Sequence, residues 1–515
     1  MIEIIKMSKM KKILYILTLV GICSFSSCSD ALDTNPTDKV SGSLIFGNAD
    51  AAQVAMNGVY RSLFINGWSD QWSHENPGLM TMTLVKDIQG EDHLMANQGQ
   101  GWFFYDYSFS TDGDWTTSSG RQYAQWNFYY TIISQVNYVI DAADQLKSFG
   151  AKGQSVLAQA YTVRGFAYFC LYSFFCKGNY PVNKQTPGVP IYTEATSANT
   201  VGKPRGTVEN VFERINNDYQ TAVDLFEAAG VTQANPTNVD LYVAYGLWAR
   251  AAQVQENWVA AAKYANAALE KPGLTRVASM TDLGQFNSCK APSVMWGFQV
   301  IADQTGPYGA FLSHMDPEGG YGKIAQQCID AWLWRVIPDT DARKRTWWED
   351  PETFKYYAYG QVKFRYSDFS TYLGDVIYLR AEELVLIAAE AACRQNDYPT
   401  ARNLLKELGD KRDTNYDAVL EARTNAATYN TDTHGAFMTL MDEILFQRRV
   451  ELWSEGMGRA FDLCRLNLGY DRNYNGTNHP SKKALNPGDN LFVTLIPQKE
   501  FDGNTSMSIV DQNPR

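Results

Sequence analysis

Between Leu241 and Glu270 apolar residues recur at helical spacing. Leu241, Tyr245, Trp248 and Ala252 form one stripe, and Trp258, Ala261, Ala262, Ala265, Ala268 and Leu269 form a second. Gln255-Glu256-Asn257 interrupts the run, so the pattern predicts two helices folded back on each other. Pro272-Gly273 stops the second helix. Its small residues allow close approach, while Trp248, Trp258 and Tyr264 supply bulk.

The same offsets return further on. Asp397-Tyr398 followed by Ala401, Leu405 and Leu408 echoes Asn257-Trp258 followed by Ala261, Ala265 and Ala268. One such unit fits an ordinary antiparallel hairpin as well as a tetratricopeptide-type repeat. Two units with shared offsets favour the repeat. Other helical stretches are Ala49–Phe64 behind an Asn48 cap, Tyr123–Leu146, Gln154–Phe175 and Val208–Phe226 behind Thr207. Val376–Gln395, Pro399–Lys411 and Met438–Trp453 complete them. The remainder breaks the rhythm. Residues 65–120 read as one long loop, and 273–375 as a second irregular stretch with strands at Val294–Val300 and Val362–Tyr366. Leu491–Pro497 reads as extended chain. The expected fold is mainly α, a helical repeat scaffold with minor β. It forms a single domain over 48–515, with scaffold at about 48–64, 123–272 and 376–466 and loop-rich insertions at about 65–120 and 273–375. Loops of this length are usually functional or disordered, and their aromatic content argues for the former.

Composition narrows the function. The 515 residues are 45% hydrophobic and 20% charged, enough for a sizeable core. The formal net charge is -11, with no basic block beyond the N-terminus, which speaks against nucleic acid. The 13 Trp, 30 Tyr and 25 Phe suit a flat-faced ligand such as a sugar ring. At the N-terminus Lys6, Lys9, Lys11 and Lys12 precede an apolar Ile13–Ile22 that is too short to span a bilayer. The later cysteines, Cys170, Cys176, Cys289, Cys328, Cys393 and Cys464, form no CxxC. HExxH, GxSxG and GxxxxGK[ST] are absent, and His74, His93, His314, His434 and His479 are not spaced as helical metal ligands. No cofactor is called for. Asp112-Gly113-Asp114 could hold a structural calcium, though a solvated turn accounts for it more simply. Glu91-Asp92 could supply glycosidase acids, but sequence neighbours point apart, so the chain reads as a binding protein rather than an enzyme.

Ser26-Ser27-Cys28 after the apolar run resembles the lipobox of bacterial lipoproteins. That implies a signal peptide over 1–27, a lipid on Cys28 and a tether over 28–47. Four further segments resemble the SusD/RagB family of outer-membrane lipoproteins. They are Cys28 to Pro36 with Asn57-Gly58-Val59-Tyr60; Tyr378-Leu379-Arg380-Ala381-Glu382-Glu383 with Ala388-Ala389-Glu390-Ala391; Arg448-Arg449-Val450-Glu451-Leu452 with Glu455-Gly456, Arg459 and Asp462-Leu463; and Ile496-Pro497 with Gln512-Asn513-Pro514. The charged members read as a structural ion network, with Arg459–Asp462 and Arg380–Glu383 at pairing distance along a helix.

The resemblance implies a cell-surface, lipid-anchored protein of the outer membrane. It would capture oligosaccharides and pass them to a SusC-like TonB-dependent transporter, the repeats facing the transporter and the loops holding the sugar. A RagB-like peptide-capturing lipoprotein is the alternative, and a glycoside hydrolase a more distant one. Site candidates therefore come from the insertions. Trp68, Trp72, Asn97, Trp102 and Tyr105 lie in the first; Tyr308, His314 and Tyr321 lie in the second. Gly319-Gly320 and Gly322 are expected to expose the Tyr321 ring.

Overall fold

Side-chain caps start most of the long helices. The structure is a computed structural model that describes residues 46–69, 73–96, 102–110, 116–197, 199–232, 235–306, 308–456 and 458–515. The signal segment, Cys28 and its tether as far as residue 45, Trp72, Asn97 and Asp112-Gly113-Asp114 lie outside the described residues. Helix α1 (Ala49–Ser62) begins where the Asn48 side chain accepts the Ala51 N–H at 2.9 Å. Then come α2 (Gly78–Gln89), β1 (His93–Met95), α3 (Phe104–Ser108), α4 (Gly120–Asp141) and α5 (Gly150–Phe175). A reciprocal Thr207–Asn210 capping box opens α6 (Val208–Ala229). Helices α1, α4, α5 and α6 pack side by side, with α5 buried along most of its length.

The first hairpin is α7 (Leu241–Val254) and α8 (Trp258–Leu269). The second insertion supplies β2 (Val294–Phe298), α9 (Phe311–Met315) and β3 (Gln327–Ile329). Strand β4 (Val376–Arg380) leads into the second hairpin, α10 (Ala381–Arg394) and α11 (Tyr398–Gly409). Helices α12 (Leu440–Glu451), α13 (Arg459–Leu466) and α14 (Gln498–Gly503) follow. No helix among the described residues is long and apolar enough to cross a membrane.

The two hairpins are near copies. Their first helices have 14 residues each and their second helices 12. Each turn bends through a left-handed residue, Glu256 at φ 54° and Asn396 at φ 63°. Ala261, Ala265 and Ala268 are buried, and α8 packs between α7 and α10. Without larger side chains the backbones come close enough for Trp248 to stack on Tyr264, centroids 3.9 Å apart. Arg250 of α7 ties the copies together through Glu383 of α10, with bonds of 2.8 and 2.7 Å.

Three expectations about elements need correction. Residues 65–120 are not one loop: α2 lies within them and is buried at every position. A helix buried all round has no polar face, so periodicity cannot reveal it. Val376–Arg380 is strand rather than the start of a helix, pairing antiparallel with β2 from Val294↔Arg380 to Phe298↔Val376. A continuous apolar run reads either way. Val362–Tyr366 forms no strand; beside it, Gln361 makes only an isolated bridge to Trp348.

The motif charges do form a structural ion network, but mostly through distant partners. Arg380 binds Glu451 at 2.7 Å and also pairs with Glu382 and Glu455. Glu451 accepts further from Arg343 at 2.7 Å and Arg412 at 2.8 Å. Glu383 turns to Arg250, Arg459 to Glu91 at 3.0 Å, and Asp462 to Arg448 at 2.9 Å and Arg465 at 2.7 Å. The expected Arg459–Asp462 and Arg380–Glu383 pairs are replaced because these groups are buried. There each charge needs a closely fitted partner, and most of the partners come from other elements.

Candidate functional site

The two irregular stretches meet. β1 of the first pairs antiparallel with β3 of the second, His93 opposite Ile329 and Met95 opposite Gln327. Beside this pair stands a cluster of rings. Tyr321 is its centre, with ring centroids 4.3 Å from Trp102, 4.6 Å from His314, 5.1 Å from Tyr308 and 5.6 Å from His74. Phe103 packs edge-on against His314 at 5.0 Å.

Buried polar groups hold the rings in place. The Phe103 backbone lies in the left-handed region, φ 56°, and its N–H donates to Glu75 Oε1 at 2.8 Å. Glu75 and Asp106 share the buried Arg121 guanidinium at 2.7 and 3.0 Å. An aromatic residue at positive φ costs energy and needs such fixing. On the other stretch, Tyr321 N–H donates to Ser313 O at 2.7 Å, and the Tyr321 hydroxyl meets His74 Nδ1. His314 Nε2 donates to the His74 carbonyl at 2.6 Å.

Burial pulls the His314 imidazole down to about 3, so it is neutral at physiological pH. Burial pushes the Tyr321 phenol up to about 12, and the nearby Tyr308 adds to it. Neither group is poised for proton transfer near pH 7. Glu91 and Asp92 are buried under Arg449 and Arg459. Burial raises Glu91, but the two guanidinium groups more than offset it and hold it below its ordinary value. Among the described residues no group of His, Cys, Asp and Glu could hold a metal ion.

The rings differ in what they show to solvent. Tyr308 is 61% exposed and Trp102 partly exposed, while Tyr321 is only 3% exposed. The arrangement is two open aromatic faces on a buried aromatic base. Such faces can stack on the C–H face of a sugar ring, and a fixed base keeps their geometry.

A family model described as "Starch-binding associating with outer membrane" matches residues 68–251, and one described as "SusD family" matches 332–512. A solved SusD-like carbohydrate binding protein from Bacteroides vulgatus is similar over 91% of this chain and 98% of its own, at 25% identity and TM-score 0.72. The chain belongs to the SusD/RagB family. SusD-like protein P2 of Formosa agariphila is 30% identical over 170 residues, 33% of this chain and 30% of the relative. SusD-like protein P38 of the same organism is 22% identical over 219 residues, 42% of this chain and 38% of the relative. The matched stretches thus span about a third of the length of these curated relatives.

Within this SusD-like chain the candidate residues separate. Trp102, Tyr308, His314 and Tyr321 come together. Tyr105 is partly buried on α3, with its ring 6.4 Å from Phe104. Trp68 is in the core: its ring packs edge-on against Phe128 at 4.9 Å, and its Nε1 donates to Ile65 O at 2.9 Å. Tyr321 is not exposed by its glycines. A Cβ on Gly319 would lie 1.8 Å from the Phe369 ring, and one on Gly322 would lie 2.4 Å from Asp316 O. These glycines let neighbours close in. His74 and Phe103 escaped the sequence reading, since nothing in their own residue types marks them; their proximity to Trp72 and Trp102 was the available signal.

Proposed function

We propose that this chain is a cell-surface glycan-binding lipoprotein that captures oligosaccharides for a partner TonB-dependent outer-membrane transporter. The observation that carries it is the juxtaposition of Trp102 and Tyr308, from separate insertions, over one buried base. Trp102 and Tyr308 stack on the sugar; Tyr321, His314 and His74 fix them. The similar B. vulgatus protein, named as carbohydrate binding, and the family description both favour this reading. Residues 1–27 act as the signal, 28–47 as the tether lipidated at Cys28, and 48–515 as the binding domain. Binding rather than catalysis is its role, in line with the neutral His314 and the ion-paired Glu91 and Asp92.

Calorimetry against a panel of oligosaccharides tests this. Trp102→Ala and Tyr308→Ala should each weaken the best ligand about tenfold or more, since base or ring stacking of this kind contributes ~1–3 kcal/mol. The thermal midpoint should move little for the exposed Tyr308. Unchanged affinity in both variants refutes the site. An empty panel together with peptides copurifying on the transporter complex would favour peptide capture instead, and product released by the purified chain alone would favour a hydrolase.

A further inference from the structure

A second aromatic cleft lies away from the Tyr321 cluster, between α4, the loop after Pro190 and α14. Its volume is about 410 Å³, within the ordinary range for small-molecule sites. Tyr123, Trp126 and Tyr130 follow one face of α4, and Tyr192 from the loop joins them in the lining. We propose that this cleft is a second carbohydrate-binding site, with room for a disaccharide or the end of a longer chain.

The walls are locked while leaving the cleft open. Trp126 Nε1 donates to Glu500 Oε2 at 2.9 Å, and the Tyr130 hydroxyl donates to Pro190 O at 2.8 Å. The Tyr192 hydroxyl accepts the Lys203 N–H at 3.0 Å. The rings brace one another, Trp126 to Tyr130 at 4.8 Å and Tyr130 to Tyr192 at 5.8 Å. The loop carrying Tyr192 is stitched down from behind. Asn137 Nδ2 donates to the carbonyls of Tyr192 and Glu194 at 3.2 and 3.0 Å. Buried Arg164 donates to Asn137 Oδ1 at 2.8 Å and pairs with Asp218 at 2.7 Å.

A loop that merely covered the helices would collapse onto these rings, since an unfilled gap forfeits their dispersion contacts. This loop is instead pinned at fixed points, Pro190 to Tyr130 and Tyr192 and Glu194 to Asn137, and the cleft stays open beside them. Lys499 adds a hydrogen-bond donor at the rim. Its ammonium lies 3.9 Å over the Tyr123 ring and makes no ion pair among the described residues. Trp126 is buried at the back of the cleft, while Tyr123, Tyr130 and Tyr192 are partly exposed, so the tyrosine rings can meet the C–H face of a sugar and Lys499 its hydroxyls. The ligand class rests on the glycan reading above; the location does not.

The test labels the full chain with 5-fluorotryptophan and assigns the fluorine resonances of Trp126 and Trp102 by Trp126→Phe and Trp102→Phe. Maltohexaose, cellohexaose and xylohexaose are then titrated in turn. One of them should shift the Trp126 resonance saturably. Tyr123→Ala should raise the dissociation constant read at Trp126 about tenfold, while the Trp102 resonance responds as in the parent. Lys499→Ala, an exposed change, should raise it about threefold and guards against a misfolded Tyr123 variant. If the Trp102 resonance moves and Trp126 stays still with all three sugars, the cleft is wrong and the glycan reading stands. If neither moves, both fail. A Trp126 shift indifferent to Tyr123→Ala and Lys499→Ala also overturns the cleft, because the signal then comes from elsewhere.

Discussion

The repeat scaffold and the ring cluster solve opposite problems with buried polar groups. In the scaffold, Glu451 is enclosed by Arg343, Arg380 and Arg412, all at 0–1% side-chain exposure. These charges face one another and fix how α12 meets β4 and the turn after α11. In the cluster, Arg121, Glu75 and Asp106 are buried just as deeply, but they hold a loop whose aromatic faces remain open. The first network completes a structure, and the second presents one. Buried charge alone therefore does not mark a binding site; what the network supports does.

Breaking the scaffold network should have the largest effect. Glu451→Gln keeps the shape but leaves three buried guanidinium groups short of a counter-charge. Removing one partner of a buried pair costs about 3–5 kcal/mol, because an uncompensated charge stays inside. Denaturant unfolding should show a loss of at least that size, or no soluble protein. A loss under about 1 kcal/mol would mean that the two networks are not different in kind. Next in size is Gly319→Ala, which acts on the cluster. Its Cβ would meet the Phe369 ring, so Phe369 must swing out or the loop must shift. Phe369 is 40% exposed and can move outward, so the cost should be about 1 kcal/mol, the low end for overpacking. Calorimetry should show weakened glycan binding because Gly319 lies two residues before Tyr321 on the same loop, with the α7–α8 and α10–α11 hairpins unaffected in hydrogen exchange.

Acid should sharpen the comparison further. His93, against Gln327 and Ser454 beside the scaffold, and His314, in the cluster, are both pulled down by burial to about 3. At these two sites the folded chain therefore binds fewer protons than the unfolded one between about pH 6.5 and 3. Their stabilisation is present above the ordinary histidine value and is lost as pH falls through that window. Each contributes a slope of about 1.4 kcal/mol per pH unit there. His314→Phe should remove its share of the slope in urea unfolding measured from pH 6 to pH 4. An unchanged slope would mean that His314 titrates normally and is not enclosed.

Legibility followed the range of the interaction. The hairpin offsets were readable because caps, small residues and turns act over a few positions, as at Asn257-Trp258 and Asp397-Tyr398. The ion network was readable as a network but not in its pairing: Arg380 reaches Glu451, 71 positions away, and nothing local favours it over Glu383. Helix α2 was hidden because burial on all sides erases its period. Trp102 and Tyr308 could be picked as loop aromatics, yet their meeting depends on a β1–β3 pairing across 234 positions, as between Leu94 and Cys328. Gly319 was misread because glycine serves exposure and close packing alike.

The smallest predicted effect concerns the twin hairpins themselves. The Asn257 side chain accepts the Ala260 N–H at 3.2 Å, and Asp397 accepts the Thr400 N–H at 3.2 Å. Each satisfies one donor that its helix otherwise leaves open. Replacing such a cap by alanine costs about 1 kcal/mol. If the hairpins are true structural copies, Asn257→Ala and Asp397→Ala should lower the unfolding free energy by similar amounts. Asp397 should cost slightly more, since its charge also favours the positive end of the α11 dipole, and 1 M salt should narrow that difference. The double variant distinguishes a repeat from two unrelated hairpins. Helix α8 packs on α10, so the copies share a surface, and loosening one loosens the seat of the other. The paired loss should then depart from the sum by more than about 0.5 kcal/mol, the margin within which independent sites add. Strict additivity would show that the shared offsets carry no shared stability.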